Sequence, residues 1–546
     1  MTLSQVQRPQ FIQQLQSKTF DLLVVGGGIT GAGIALDAAS RGLTVALVEK
    51  GDFASGTSGK STKLIHGGLR YLKQFEFGLV KEVGQERAIL HRLAPHLVVP
   101  EKMVLPLIED GSLGKTMTSI GLFIYDYLAE VQGDDKRRML DPSEIKAIEP
   151  LLPEDKLLGG SLYAEYRTDD ARLTIEVIKT AFRHGAVPLN YTECVEFIEE
   201  NGKIFGALCR DHLTDTSFRI VADQVVNATG PWVDDLRSLD GPITGKHLYL
   251  TKGVHVVVNR EKLPVRHALY FDVPMDKRMI FAIPRLDVTY IGTTDTYYEG
   301  DKDHVKITRA EVDYLLNAVN QTFASCSLDR TDVEASWAGV RPLIYEDGKS
   351  ASEISRKDEI FVSDKGLISI AGGKLTGYRK MAERVVDLVV KAGKDLRKLP
   401  CQTEQIPLTD PHFVDQSEVD TFVNKLKAQL TAMGLRETYA PYLAQNYGLA
   451  SQSILEDSLT GSRFQDPEGA LVWAELTYCM DNEMMGYPSD FVVRRTGRLY
   501  FMPQSLSVVR QVVFAYFREE LKWSSHQISI EENKWLEMLS IKSDFS

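Results

Sequence analysis

The chain has 546 residues, 43% hydrophobic and 25% charged, which is too long for one core and carries enough apolar material for two or three. A formal net charge of -12 argues against nucleic acid as a partner, since phosphate neutralisation needs a basic face, yet it leaves room for a local pocket that binds a small anion. Five scattered cysteines form no CxxC pair, so neither a disulfide framework nor a metal site is expected. The opening MTLSQVQRPQFIQQLQSKTF lacks the apolar core of a signal peptide. No stretch approaches the roughly 18 apolar residues that span a bilayer, so the chain is expected to be soluble or to lie on a membrane without crossing it.

Asp21 to Val25 is a short β-branched run that predicts a buried parallel strand. It leads into Gly26-Gly27-Gly28-Ile29-Thr30-Gly31, a complete GxGxxG, then a helix that Gly42 stops, then a second buried strand ending in Glu49 and Lys50. In such a unit the first glycine makes the turn, the second admits a pyrophosphate to the backbone, and the third lets helix and strand pack closely. The helix N-terminus offers free N–H groups to the phosphates, and the acid at the second strand's tip accepts from ribose hydroxyls. Strand, glycines, helix, strand and acid in this order predict a dinucleotide site.

A polar, small-residue loop from Asp52 to Lys63 follows, where an NAD enzyme would usually continue with a helix. It reads either as a surface loop or as a segment lying along an extended cofactor. Two later segments favour the second reading, and with it FAD. Asp223–Trp232 is a strand that breaks at Ala228-Thr229-Gly230, and Leu367–Glu383 is a strand, a Gly372-Gly373 turn and a helix start that brings positive dipole to the centre of the protein. Ahead of both, Gly114–Ala129 is an aromatic-rich apolar stripe with Lys115 near one end, readable as a buried helix or a membrane contact. His255 lies in an alternating VHVVV strand, on one face with Val257 and opposite Val254 and Val256. Arg341 and Lys374 stand beside Pro and Gly-Gly turns at strand ends, unlike ordinary surface cations. Leu399–Pro411 carries three prolines and reads as a linker, and Ser417 to about Glu532 shows helical periodicity. Val492–Arg498 is a basic cluster, readable as a membrane contact or equally as a solvated helix face.

The segments GGGITGAGIALDAASRGLTVALVEKGDFASGTS, KSTKLIHGGLRYL, NATGPWVDDL, GVRPL and GGKLTGYRKMAE resemble the FAD-dependent glycerol-3-phosphate dehydrogenases, within the D-amino-acid-oxidase-like flavoproteins. The likeness runs from about residue 20 to 390 and continues more weakly beyond. It implies an α/β fold: a Rossmann-like FAD-binding domain (20–95, 175–240 and 355–395), an interleaved β-rich substrate domain (96–174 and 241–354) and a C-terminal helical domain (412–540). It further implies oxidation of sn-glycerol 3-phosphate to dihydroxyacetone phosphate by hydride transfer from C2 to flavin N5. Electrons would pass to a membrane quinone, with the protein held peripherally at the inner, cytoplasmic face of the membrane and a homodimer left open.

By the same resemblance the FAD contacts are Gly26, Gly27, Gly28, Thr30 and Gly31 of the glycine turn, with Glu49 and Lys50 after it. Ser58, Thr62, Lys63, Leu64 and Ile65 follow, then Thr229, Gly230 and Trp232, and last Gly373, Lys374, Leu375 and Thr376. A phosphate clamp of Arg341, Arg356 and Lys374, with Arg70, Tyr71 and Thr376 as further contacts, would hold the substrate. His255 is favoured as general base, with His66 beside the isoalloxazine. The alternatives are a glycerol-3-phosphate oxidase using oxygen, a flavin amine or amino-acid oxidase, and a flavin-binding scaffold without turnover. The short run between Arg341 and Lys374 favours the dehydrogenase, because oxidase relatives carry a long insertion there.

Overall fold

The structure, a computed structural model, describes residues 2–66, 77–109, 111, 136–273, 275–323, 325–345, 357–393, 399–461, 463–540 and 545. Arg70, Tyr71, Arg356 and the stripe Gly114–Ala129 lie outside them.

Leu22, Leu23 and Val24 are fully buried, which places the strand Thr19–Val25 in the interior of a parallel sheet. It pairs in parallel with Val45–Val48 on one side and Thr216–Asn227 on the other. Val187–Leu189 and Ile368–Ala371 extend the flanks in parallel, and Glu359–Val362 closes one edge antiparallel. The hairpin Thr192–Glu200 and Lys203–Asp211 adds to the N-terminal half of Thr216–Asn227. Helix Ile29–Ser40 packs against Asp170–Arg183 and Tyr378–Ala392 to cover this sheet.

A second sheet runs in the order Thr296–Tyr297, His247–Asn259, Val288–Gly292, Met279–Arg285, Ala268–Asp272, Val99–Ile108, Leu157–Arg167 and Leu64–Ile65. Val333–Tyr345 pairs along the whole of His247–Asn259. Period-2 alternation sends Val254, Val256 and Val258 into a core under helix Arg309–Thr322, while His255 and Val257 turn to the other face with Trp337 and Tyr290. The strand Leu64–Ile65, within the stretch 20–95 read as cofactor-binding, is built into this second sheet through its pairing with Leu157–Arg167. Helix Asp170–Arg183 runs across the expected boundary at 174 and packs chiefly on helix Ile29–Ser40, with Arg172 reaching Glu483 of the C-terminal region.

The fold class is the one expected, down to a C-terminal helical region with its own core. The proline-bearing stretch 399–411 is strapped to the first domain: the Leu408 amide donates to Leu93 O at 3.1 Å, and Leu408 O accepts from Thr180 Oγ1 at 2.6 Å.

The basic cluster of 492–498 is not a solvated face. Arg495 and Arg498 are fully buried, because each has a buried carboxylate to meet. Arg498 Nη2 donates to Glu475 Oε2 at 2.5 Å. Arg495 grips Asp52 with two bonds of 2.6 and 2.9 Å, and Arg494 Nε adds a third at 2.6 Å. Removing one member of a buried pair leaves an uncompensated charge and costs about 3–5 kcal/mol. Arg495→Met should therefore lower unfolding free energy in denaturant by an amount of that order, whereas neutralising the exposed Arg210 should change it little.

Candidate active site

A cleft of about 1600 Å³ opens between the two sheets, and both contribute to its walls. Its floor lies at the carboxyl ends of Thr19–Val25, Val45–Val48, Thr216–Asn227 and Ile368–Ala371, where parallel sheets bind ligands. At the first of these ends Gly26 has φ +117°, and a Cβ there would stand 2.5 Å from Ala228 O. Only glycine lets the two strand ends close at that turn. Gly28 caps helix Ile29–Ser40, and the Ser58 hydroxyl accepts from the Ile29 amide at 2.9 Å. Gly28, Thr30 and Ser58 border the cleft. Gly27 and Gly31 do not: Gly27 packs under Glu49 and Phe53, and Gly31 against Gly26 O.

Glu49 Oε2 accepts from the Gly27 amide at 2.7 Å and Oε1 from the Gly51 amide at 2.8 Å. Burial pushes its carboxyl up against the pull of those amides. Each oxygen keeps a lone pair that can take a ribose hydroxyl from the cleft. Lys50 Nζ sits 4.3 Å over the Trp232 ring, and Thr229, Gly230 and Trp232 form one wall. Gly373, Lys374, Leu375 and Thr376 form another, ahead of helix Tyr378–Ala392. The glycine cradle, the free helix end and the buried acid fit an extended dinucleotide.

Lys63 and Ile65, both expected at the cofactor, put no side chain on the cleft wall, while Thr62 and Leu64 between and beside them do. Lys63 turns away because two buried carboxylates claim its ammonium. Nζ donates to Asp170 at 2.5 Å and lies 3.6 Å from Asp169. Burial would depress this ammonium, but the Asp169 and Asp170 charges outweigh it and hold the group protonated.

His66, His255, Arg341 and Lys374 also line the cleft. His255 is buried and stacks on Trp337, with centroids 4.7 Å apart and planes 10° from parallel. Its Nε2 lies 3.0 Å from Thr62 Oγ1. Burial, then the Arg341 and Lys63 charges, hold its imidazole well below the ordinary 6.5. Burial, then Lys374 and Arg87, do the same to His66. Both rings are neutral at neutral pH. Arg341 Nη2 donates to Thr293 Oγ1 at 3.0 Å and Nη1 to Asp295 at 3.2 Å, which aims the guanidinium along the cleft wall. Thr376 Oγ1 donates to His66 O at 3.3 Å.

Residues on the wall, such as Gly253 and Gly339, and others behind it, such as Trp337 and Gly292, complete the site. Trp337, Gly339 and Arg341 alternate along one strand face, so period 2 could have found Trp337 from Arg341. Gly253 and Gly292 carried no such signal. A Cβ on Gly253 would meet Arg341 Nη2 at 2.2 Å, and one on Gly292 would meet His255 Cδ2 at 2.1 Å. Among the described residues no group of three or more His, Cys, Asp or Glu gathers as metal ligands.

Residues 21–379 match the family described as FAD dependent oxidoreductase, and residues 401–528 match the C-terminal domain of alpha-glycerophosphate oxidase. The aerobic glycerol-3-phosphate dehydrogenase of Bacillus subtilis (strain 168) is 47% identical over 525 residues, 95% of this chain and 94% of that one. The Staphylococcus aureus (strain USA300) protein of the same name is 46% identical over 533 residues, 97% and 96% of the two chains. The chain belongs to the FAD-dependent glycerol-3-phosphate dehydrogenases. The solved structure of the glycerol-3-phosphate dehydrogenase from Bacillus halodurans complexed with FAD matches 99% of both chains, with a TM-score of 0.85 and 42% identity. The L-alpha-glycerophosphate oxidase of Mycoplasma pneumoniae shares the fold alone, with a TM-score of 0.55 and 18% identity over 70% of this chain and 98% of that one. The cofactor is FAD.

Gly26→Ala forces a Cβ onto Ala228 O at the dinucleotide turn. The wild-type protein should purify yellow and release FAD, not FMN, on denaturation. The variant should carry much less flavin, read as the absorbance ratio of flavin to protein.

Proposed function

We propose that this member of the family oxidises sn-glycerol 3-phosphate to dihydroxyacetone phosphate and passes the electrons to a membrane quinone. The observation that carries the reading is that Arg341, from the second sheet, and Lys374, from the first, both line the cofactor cleft, each acting on one of its two neutral histidines. The names of the B. subtilis, S. aureus and B. halodurans relatives support the substrate.

FAD supplies the acceptor for the hydrogen that leaves C2 with its electron pair. The rest falls to the chain. The amides at the start of helix Ile29–Ser40 take the pyrophosphate, and Glu49 takes a ribose. Arg341, held by Thr293 and Asp295, turns its fork to the substrate phosphate, and Lys374 adds a point charge. His255 takes the C2 hydroxyl proton. Arg70, Tyr71 and Arg356 join the clamp on the resemblance alone. The protein would work at the inner face of the cytoplasmic membrane, held there peripherally; among the described residues no helix is long and apolar enough to cross.

An oxygen-using oxidase is the second reading, favoured by the match of residues 401–528 to the C-terminal domain of an oxidase. Anaerobic photometry decides the substrate: glycerol 3-phosphate should bleach the flavin, and glycerol or an amine should not. Reoxidation decides the acceptor, since a soluble quinone should restore the colour far faster than air.

Lys374→Met should leave FAD bound and raise KM for glycerol 3-phosphate, because losing one partner of a buried charge pair costs on the order of 2–5 kcal/mol. Unchanged kinetics would remove Lys374 from the clamp. His255→Asn should keep FAD and slow flavin reduction by roughly 10²–10⁴-fold. Burial and the neighbouring cations keep the wild-type imidazole neutral below its ordinary 6.5, so the acid limb of the reduction rate should lie below that pH. Stopped-flow reduction across pH should show this limb in the wild type and not in the variant.

A further inference from the structure

We propose that Thr62 is the positioning residue for His255, fixing the imidazole through Nε2 so that it meets the substrate hydroxyl in one orientation. The proposal rests on the reading of His255 as the base.

The ring has three kinds of neighbour. Trp337 stacks on its face and resists partial rotation about Cβ–Cγ, but it does not distinguish the two flipped orientations or the tautomers of the ring. Gly292 approaches one edge so closely that a Cβ would overlap Cδ2, which blocks movement to that side. Thr62 Oγ1, at 3.0 Å from Nε2, makes the directional contact. Nδ1 is buried and has no partner among the described residues. Among the described residues, the contact that selects the flip and tautomer of the imidazole is therefore this hydroxyl.

The turn that delivers this hydroxyl is held from three other elements. The Ser61 amide donates to Asp170 Oδ2 at 2.8 Å, on helix Asp170–Arg183. Trp337 Nε1 donates to Ser61 O at 3.1 Å, and Tyr290 OH donates to Thr62 O at 3.1 Å. Lys63 then bends back at φ +59°, a left-handed conformation that residues with a Cβ rarely adopt, and its ammonium is tied to Asp170. Strained backbone held by surrounding structure is a mark of a functional position.

The plain alternative is that Thr62 only satisfies a buried histidine. Two observations weigh against it. Among the described residues the other ring nitrogen has no partner, so this one contact does not by itself satisfy the ring. Thr62 also borders the cleft, and its hydroxyl has one donor and two acceptor positions, more than the histidine uses.

Stopped-flow flavin reduction by glycerol 3-phosphate in the FAD-loaded enzyme tests this. Thr62→Val keeps the shape and removes the hydroxyl. Read on the flavin-loaded fraction, because Thr62 also borders the cofactor cleft, it should slow the limiting reduction rate by up to about 100-fold with substrate affinity within about twofold, the signature of a misplaced catalytic group. Thr62→Ser should return most of the rate. In the double variant with His255→Asn, the threonine change should cost nothing further. A Thr62→Val enzyme as fast as wild type, beside a slow His255→Asn, overturns the role of Thr62 and leaves the base standing. A His255→Asn enzyme at normal rate removes the base itself. A Thr62→Ser enzyme as slow as Thr62→Val, or an undiminished threonine effect in the double variant, shows that Thr62 does not act through His255. Should Thr62→Val lose its flavin, Thr62→Ala is read by the same criteria.

Discussion

The carboxylate of Asp52 is sealed from water between two guanidiniums of the C-terminal domain and the amide of Asn190. Burial alone would push its carboxyl up, yet Arg495 and Arg494 hold it well below the usual carboxylate range. Asp52 is also the first residue of the segment that runs along the cofactor cleft. At the far end of that segment Lys63 is locked, equally buried, to Asp170. The segment is thus pinned at both ends by ion pairs and presents Ser55 to Thr62 to the cleft between the pins. Apolar residues of similar volume would often stabilise a core as well as a buried ion pair does. They would not fix the direction of a polar loop. Charge is used here for placement.

This arrangement gives the helical domain its part in the site. Helix Arg498–Phe501 packs Tyr500 and Phe501 behind Trp337, with Tyr500 at 5.0 Å and tilted, so the wall on which His255 stacks is backed by the C-terminal core. Arg285 lies 3.8 Å over the Phe501 ring and pairs with Asp169, linking the same corner to the Lys63 lock. Cofactor loop, stacked tryptophan and helical domain form one mechanical unit.

Electrostatics at the reacting end is coupled in a second way. A protein with a net charge of -12 sets Arg341 and Lys374 on the wall of its cofactor cleft. Those cations lower the basicity of the histidines beside them, Arg341 acting on His255 and Lys374 on His66. A phosphate dianion placed against them would offset their charge and, by Coulomb's law, raise the basicity of the histidines. Asp295, paired with Arg341 at 3.2 Å, plays the opposing charge in the protein alone.

Much of this was legible in the sequence where the physics is local. The strand, glycine turn and helix of 21–40 depend on contiguous backbone, and the face that His255 occupies follows from the pleat of its own strand. Arg341 and Lys374 announced themselves through the turns beside them. What the sequence left open was every long-range polar pairing. Asp52 and Arg495 stand 443 positions apart, and no periodicity ties them together. For that reason the cluster of 492–498 was readable as a membrane contact or a solvated face, and nothing in the sequence ties Lys63 to Asp170. Whether a charge faces water or a buried partner depends on which surfaces meet when the sheets and the helical domain close. The sequence by itself therefore determined the dinucleotide unit, the two classes of sheet and the residue types of the site. Only the tertiary structure decided which charges face the cleft and which are spent holding it in shape, because burial makes an ion pair necessary and packing alone selects its partner.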